Sequence, residues 1–426
     1  MRGAREDGGL DDRASATYLL ESGYPLERAA QAIAGEQSSG TFVAVPGETA
    51  ALRARAGARV ERIAPLDDVG SPTLPGAGND GSGRWRRGEI EISWPLANFG
   101  PSLPNLLATI AGNLFELREV SGLRLLDVHL PASFVAASPA PQFGVAGTRA
   151  LTGITDRPLI GTIIKPSVGL SPEDTAALVA DLCAGGIDFI KDDELQADGP
   201  NCPFEARVRA VMAVVRDHAE HAGRKVMVAF NLTGEVDEMR ARHDLVRAEG
   251  GTCVMASLNS VGLTGLLALR RHAELCIHAH RNGWGALSRH PWLGWSYVAW
   301  QKLWRLAGAD HLHVNGLGNK FCEDDDSVII SAHACLTPLL TDHPCLAMPV
   351  FSSGQSARQI EATWHRLGSA DLIYAAGGGV MAHPGGIAAG VASLRQAWEA
   401  AMSGIPAATY ARSHRELREA LVQYAT

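Results

Sequence analysis

From Pro158 onward, short apolar runs alternate with longer segments of helical periodicity, the pattern of parallel strands joined by crossover helices. Eight such runs can be read: LIGTIIK ending at Lys165, IDFIKDDE at Glu194, VMVAFNLT at Thr233, TCVMAS at Ser257, LCIHAHR at Arg281, HLHV at Val314, CLAMPVFS at Ser352 and DLIYAAGG at Gly378. The intervening segments carry helix starts. Ser171-Pro172-Glu173-Asp174 supplies an N-cap, a proline at the first helical position and acids near the positive dipole end. Eight strand–helix pairs predict a closed (β/α)8 TIM barrel. An open doubly wound sheet shares the alternation but places a Gly-rich turn after its first strand, where this chain has Lys165-Pro166-Ser167.

Upstream the pattern is mixed. TYLLE reads as a strand, Pro25 to Ala34 as a helix and TFVAV from Thr41 as a strand. GSPTLPGAGNDGSGRWRRG, from Gly70 to Gly88, reads as an open loop, EIEISWP as a strand and LPNLLATIAGNLFEL as an amphipathic helix. The expected organisation is α/β: a disordered tail over residues 1–13, a smaller α+β domain of ferredoxin-like type over 14–140, and the barrel with a C-terminal helix over 141–426.

At 426 residues and 46% hydrophobic content, the chain can bury two cores of this kind. A net charge of −8 argues against nucleic acid or an anionic membrane as partner. The seven cysteines are scattered without CxxC spacing, so a reduced, buried state is expected rather than a disulfide framework or thiolate zinc site. No run reaches membrane-spanning length and the first residues lack the apolar core of a secretory signal, which together predict a cytoplasmic protein.

In a barrel, catalytic groups come from the C-terminal ends of the strands. That rule selects Lys165, Lys191, Asp193, Glu194, Asn231, His278, His280, Arg281, His313, Ser352 and Gly377-Gly378-Gly379. Strand alternation points Lys191 and Asp193 to one side, and Glu194 can turn inward after the strand ends. Two carboxylates suit Mg²⁺, and a neutral lysine amine can add CO₂ to give a third oxygen ligand. Asp193 and Glu194 should hold the proton on Lys191 until a cation neutralises them. A solvated acidic loop with a salt bridge is the plainer reading of KDDE alone. His278 and His280 share a face. They suit proton transfer, zinc binding or a plain core role, and His311 and His313 repeat the ambiguity. Arg281 can grip an anion, and the glycines after the last strand suit a phosphate, although a lone GGG reads equally well as a turn.

GTIIKP, GGIDFIKDDE, IHAHR, DHLH and AGGGVMAHP, in this order and spacing, resemble the RuBisCO large chain, and EQSSGTF and AGNLF extend the resemblance to its N-terminal domain. The resemblance implies a carbamylated lysine at Lys191, with CO₂ as the carbamate, and Mg²⁺ held by Lys191, Asp193 and Glu194. It implies a proton-handling Lys165 and a catalytic His280. One phosphate site falls on Arg281, His313 and Ser352, and a second on Thr41, Gly354, Gly377 and Gly378. Glu36, Asn113 and Lys320 match residues that close the site, with Glu36, Thr41 and Asn113 acting across a homodimer interface.

The departures point away from a ribulose-bisphosphate carboxylase. Ser167 stands where the carboxylases carry a second lysine, HVNGLGNKFCEDDD lacks the GKLEG context around Lys320, Ser353 replaces a glycine and Phe42 a tryptophan. These changes resemble the RuBisCO-like proteins, or form IV, which form an enediolate on a phosphorylated substrate without carboxylating ribulose bisphosphate. The polar set Glu36, Asn113, Lys165, His280, His313 and Lys320, with no apolar patch for a thioether, favours decarboxylation or transcarboxylation of a 3-oxo sugar-acid phosphate such as 3-oxo-isoapionate 4-phosphate. A methionine-salvage enolase or isomerase of methylthio-sugar phosphates is the alternative. A non-catalytic sugar-phosphate binder has no need of the three retained metal ligands.

Overall fold

The computed structural model describes residues 12–40 and 45–425. Its strands are β1 (Arg13–Ser22), β2 (Arg59–Pro65), β3 (Arg86–Pro95), β4 (Gly122–His129), β5 (Leu159–Ile163), β6 (Phe189–Lys191), β7 (Met227–Asn231), β8 (Cys253–Ser257), β9 (Cys276–His280), β10 (Leu293–Trp295), β11 (His311–His313), β12 (Met348–Phe351) and β13 (Ile373–Ala375). The tail expected before Ala14 falls outside the described residues as far as residue 11, as does most of the strand expected from Thr41. Two compact units result, one reaching to Ser138 and taking in Gly283–Leu306, the other formed by Pro139–Asn282 and Ala307 onward.

The first unit is built on a sheet ordered β10-β4-β1-β3-β2. Its β4-β1-β3-β2 part is antiparallel, with the helices Leu26–Glu36 and Leu103–Ile110 in the two crossover positions, which is the ferredoxin-like arrangement. Leu26, Ala29, Ala30, Ile33 and Ala34 give the first helix its buried stripe at helical spacing. Gly283–Leu306, assigned by the sequence to the barrel domain, belongs here because β10 pairs in parallel with β4. The loop from Gly70 is open in backbone but anchored: the buried Glu21 carboxylate accepts from the Thr73 N–H and hydroxyl, Arg87 and Ser121. The helix expected through Leu117 stops at Ile110. A Cβ on Gly112 would lie 2.4 Å from the Ala108 carbonyl oxygen, and a separate 3-10 turn, Asn113–Glu116, follows.

The second unit is the barrel, closed in the order β5-β6-β7-β8-β9-β11-β12-β13, with every expected run supplying one strand. The expected N-cap forms at Ser171, at the start of Pro172–Ala184, and Asp174 completes it as a capping box. Leu159, Phe189, Met227, Ala229, Cys253, Met255, Cys276, Met348, Val350, Ile373 and Ala375 form one buried apolar cluster. Their two-residue spacing within strands marks the inward face. All seven cysteines are free, six of them buried and Cys322 exposed. Among the described residues no helix is long and apolar enough to cross a membrane.

Candidate active site

Extending the inward positions of the apolar cluster by twos toward the strand ends gives Lys165, Lys191 and Asp193, Asn231, Ser257, His278 and His280, Ser352, and Gly377. The barrel interior thus changes from apolar to polar along its axis. Alternation places most of the groups selected at strand ends at one end.

Lys191 is fully buried at the end of β6. Its Nζ donates to the Asp192 carbonyl at 2.6 Å and lies 3.8 Å from Glu194 Oε2. Burial lowers its pKa to about 8, outweighing the opposing pull of Glu194, Asp193 and Asp192. The neighbouring acids pull in the expected direction and the amine is still mostly protonated at neutral pH, but desolvation is the larger effect, so its proton leaves more readily than that of an exposed lysine.

Asp193 Oδ2 accepts from Lys165 Nζ at 2.5 Å, and the same ammonium donates to Ser167 Oγ at 2.7 Å. Burial would raise the Asp193 carboxyl, but Lys165, the Leu195 N–H and the Lys191 charge hold it below the usual carboxylate range. Asp192 turns away to a buried pair with Arg207, at 3.1 Å. Asn231 Nδ2 donates to the carbonyls of Asp193 and Glu194 at 3.4 and 3.2 Å, supporting the bend where β6 ends.

His280 Nε2 lies 3.5 Å from Glu194 Oε2, and its Nδ1 accepts the Asn282 N–H at 3.2 Å. That bond assigns the ring hydrogen of the neutral form to Nε2, facing Glu194. Burial and the Lys191 charge push the His280 pKa down to about 4. His278 is a core histidine: its Nε2 lies 2.7 Å from His313 Nε2 and its Nδ1 3.4 Å from His311 Nδ1. With both ring nitrogens facing other histidines, the geometry does not favour zinc at His278 and His280.

Arg281, His313 and Ser352 are brought together, His313 Nδ1 lying 3.0 Å from Ser352 Oγ. Arg281 differs from its expected role as an available anion grip, because its Nη2 already meets the Glu323 carboxylate at 2.5 Å. Asn315 Nδ2 and Ser327 Oγ also donate to that carboxylate, at 2.6 and 2.9 Å. Sequence reasoning missed Glu323 and Asn315. Glu323 sits in an acidic run that reads as solvated, whereas Asn315 carried a usable signal: asparagine tolerates its φ of +66° before Gly316.

Ser353, at φ +72°, and Gly354, at φ +85°, form the turn after β12, and Ser353 Oγ donates to Asn315 Oδ1 at 2.9 Å. Lys320 is exposed. Its N–H donates to the Ser353 carbonyl at 3.3 Å, and its ammonium lies 5.2 Å from the centroid of the Phe321 ring rather than at the Lys191 cluster. Gly377 and Gly378 follow β13, and the Tyr424 hydroxyl donates to the Gly378 carbonyl at 3.0 Å.

Glu36 and Asn113 lie in the first unit, both exposed. The Gln37 amide ties their segments by accepting the Asn113 N–H at 2.8 Å and donating to the Ala108 carbonyl at 3.0 Å. Thr41 and Phe42 lie outside the described residues.

The donor set fits a hard divalent cation. Asp193 and Glu194 offer carboxylate oxygens, and the lowered pKa of Lys191 leaves a larger neutral fraction than an exposed lysine has, able to add CO₂ and supply another oxygen.

Residues 14–134 match the ribulose bisphosphate carboxylase large chain, N-terminal domain, and residues 144–424 its catalytic domain. The chain is 61% identical to a 3-oxo-isoapionate-4-phosphate transcarboxylase/hydrolase of Xanthobacter autotrophicus, over 97% of this chain and 99% of that one. It is 43% identical to a 3-oxo-isoapionate-4-phosphate decarboxylase of Rhizobium etli, over 96% and 98% of the two chains. The crystal structure of a rubisco-like protein from Burkholderia fungorum superposes with a TM-score of 0.91 at 50% identity, covering 96% of this chain and 99% of that one. Matched in both domains, and at this identity over nearly its whole length, the chain belongs to the ribulose bisphosphate carboxylase large-chain family, among its RuBisCO-like members.

Proposed function

We propose that this chain is an enzyme that removes the carboxyl group of a 3-oxo sugar-acid phosphate, with 3-oxo-isoapionate 4-phosphate as its substrate. The observation that carries the reading is the 61% identity, over nearly the full length of both chains, to a transcarboxylase/hydrolase named for that compound. The barrel supplies matching chemistry. In decarboxylation or transcarboxylation of a 3-oxo acid, the bond between the carboxyl carbon and C2 breaks and its electron pair passes toward the 3-oxo group, giving an enediolate.

Lys191 as carbamate, Asp193 and Glu194 would hold Mg²⁺. The cation would stabilise charge on two neighbouring substrate oxygens. Lys165, aimed by Asp193 and Ser167, is the proton donor to C2. His280, neutral with its hydrogen on Nε2, donates a hydrogen bond to a substrate oxygen instead of delivering a full charge. Gly354, Gly377 and Gly378 offer backbone that a phosphate can approach closely. Glu36, Thr41 and Asn113 complete the site from the partner subunit of a cytoplasmic homodimer.

The test is product analysis of the full-length protein with 3-oxo-isoapionate 4-phosphate, Mg²⁺ and bicarbonate, beside a methylthio-sugar phosphate. Loss of the carboxyl group from the first and no reaction of the second is the expected result. Isomerisation or enolisation of the second alone would overturn the reading.

A further inference from the structure

Two parts of the site differ in charge balance. In one, the Arg281 guanidinium and the Glu323 carboxylate are 2.5 Å apart, with side chains 6% and 15% exposed. Glu323 is fixed by Asn315 and Ser327, on the segment after β11 and at the start of the helix Asp325–Leu336. The other groups there, His313, Ser352, Ser353 and Asn315, hydrogen-bond without adding a formal charge, because burial holds His313 well below the usual histidine range. The Arg281 and Glu323 charges cancel within this pair. A phosphate dianion reaching Arg281 would meet a desolvated carboxylate, and like-charge juxtaposition opposes binding.

The turn after β12 has an available cation. Lys320 backs onto Gly354, its N and Cβ lying 3.7 and 3.8 Å from where a Gly354 Cβ would sit. No carboxylate forms an ion pair with it among the described residues. Gly377 adjoins Lys165 in the same way, with the Lys165 chain 3.8 Å from its Cβ position.

We propose that Glu323 is a specificity determinant that closes the Arg281 end to a second phosphate. The chain takes substrates with one phosphate, seated at Gly354, Gly377 and Gly378, and an uncharged hydroxyl-bearing end faces Arg281 and Glu323. This rests on the sugar-phosphate reading above and deepens it: the single phosphate has one place to go, and the substrate one orientation. The site predicts no benefit from a bisphosphate.

The test is calorimetric binding of ribulose 5-phosphate and ribulose 1,5-bisphosphate to the full-length protein, to E323Q and E323A, and to the double variant R281A/E323Q, each checked for folding by thermal melt. Wild type should bind the bisphosphate no more tightly than the monophosphate. In E323Q or E323A the bisphosphate-to-monophosphate affinity ratio should rise by about tenfold or more, and R281A should abolish the gain. A tenfold bisphosphate preference in wild type, or an unchanged ratio in folded E323Q and E323A while the monophosphate still binds, overturns this inference alone. Binding of neither compound to any of the proteins overturns the sugar-phosphate reading together with it.

Discussion

Asp192 and Asp193 are adjacent in sequence and serve opposite purposes. Asp192 Oδ2 meets the fully buried Arg207 at 3.1 Å and accepts the Asn231 N–H at 2.9 Å, whereas Asp193 Oδ2 meets Lys165 at 2.5 Å among the groups at the barrel's polar end. Strand alternation separates them.

Replacing each by alanine should therefore give opposite phenotypes. Asp192→Ala strands a buried guanidinium and should cost about 3–5 kcal/mol of stability, read by chemical denaturation. Asp193→Ala should abolish turnover while leaving a folded protein whose midpoint shifts far less. Equal destabilisation by both changes would show that Asp193 is structural too.

Lys165→Met keeps the length of the side chain and removes the proton donor. The expected outcome is a loss of kcat by about a hundredfold or more with KM little changed, because general-acid catalysis contributes about that much. A change confined to KM would reassign Lys165 to substrate binding.

In the first unit, Glu21 anchors the Gly70 loop. Burial raises its carboxyl, but bonds from Thr73, Arg87 and Ser121 hold it below its ordinary value. A lowered folded pKa means its contribution is present above the unfolded value and is lost as pH falls through the folded one. Glu21→Gln should cost about 1–3 kcal/mol at pH 7 and flatten the stability profile below pH 5, where an unfolded glutamate titrates at about 4.3. An identical acid profile in both proteins would contradict the assignment.

The barrel was legible because its strands are short apolar runs that end in polar residues, so period and punctuation agree at Lys165, Glu194 and Ser352. The first unit was less so. No residue of β2 is buried, which leaves an edge strand such as RVERIAP without the half-buried alternation that marks a strand. β4 runs Leu125 into Leu126, and its ladder with β1 shifts register beside them, between Thr17 and Tyr18. After the helix stops at Ile110, Gly112 lies against the Gln37 side chain, a contact no local pattern encodes. In the site, residues at strand ends could be selected by rule, whereas Glu323 acquires its meaning only from the distant Arg281. The direction of the Lys191 shift also needed the structure, since its acidic neighbours are visible in sequence and its complete burial is not.

Whether Lys191 works as a carbamate is read most directly from the recovery of activity by enzyme stripped of CO₂ and metal. Only the neutral amine adds CO₂, and burial places its pKa at about 8 instead of the ordinary 10.5. With dissolved CO₂ held constant and Mg²⁺ supplied, activity should return slowly. Its rate should rise with pH through about 8 and level off above, not near the pKa of an exposed lysine. Full and immediate activity with Mg²⁺ in CO₂-free buffer would contradict the account, leaving unmodified Lys191 as a base beside a two-carboxylate metal site.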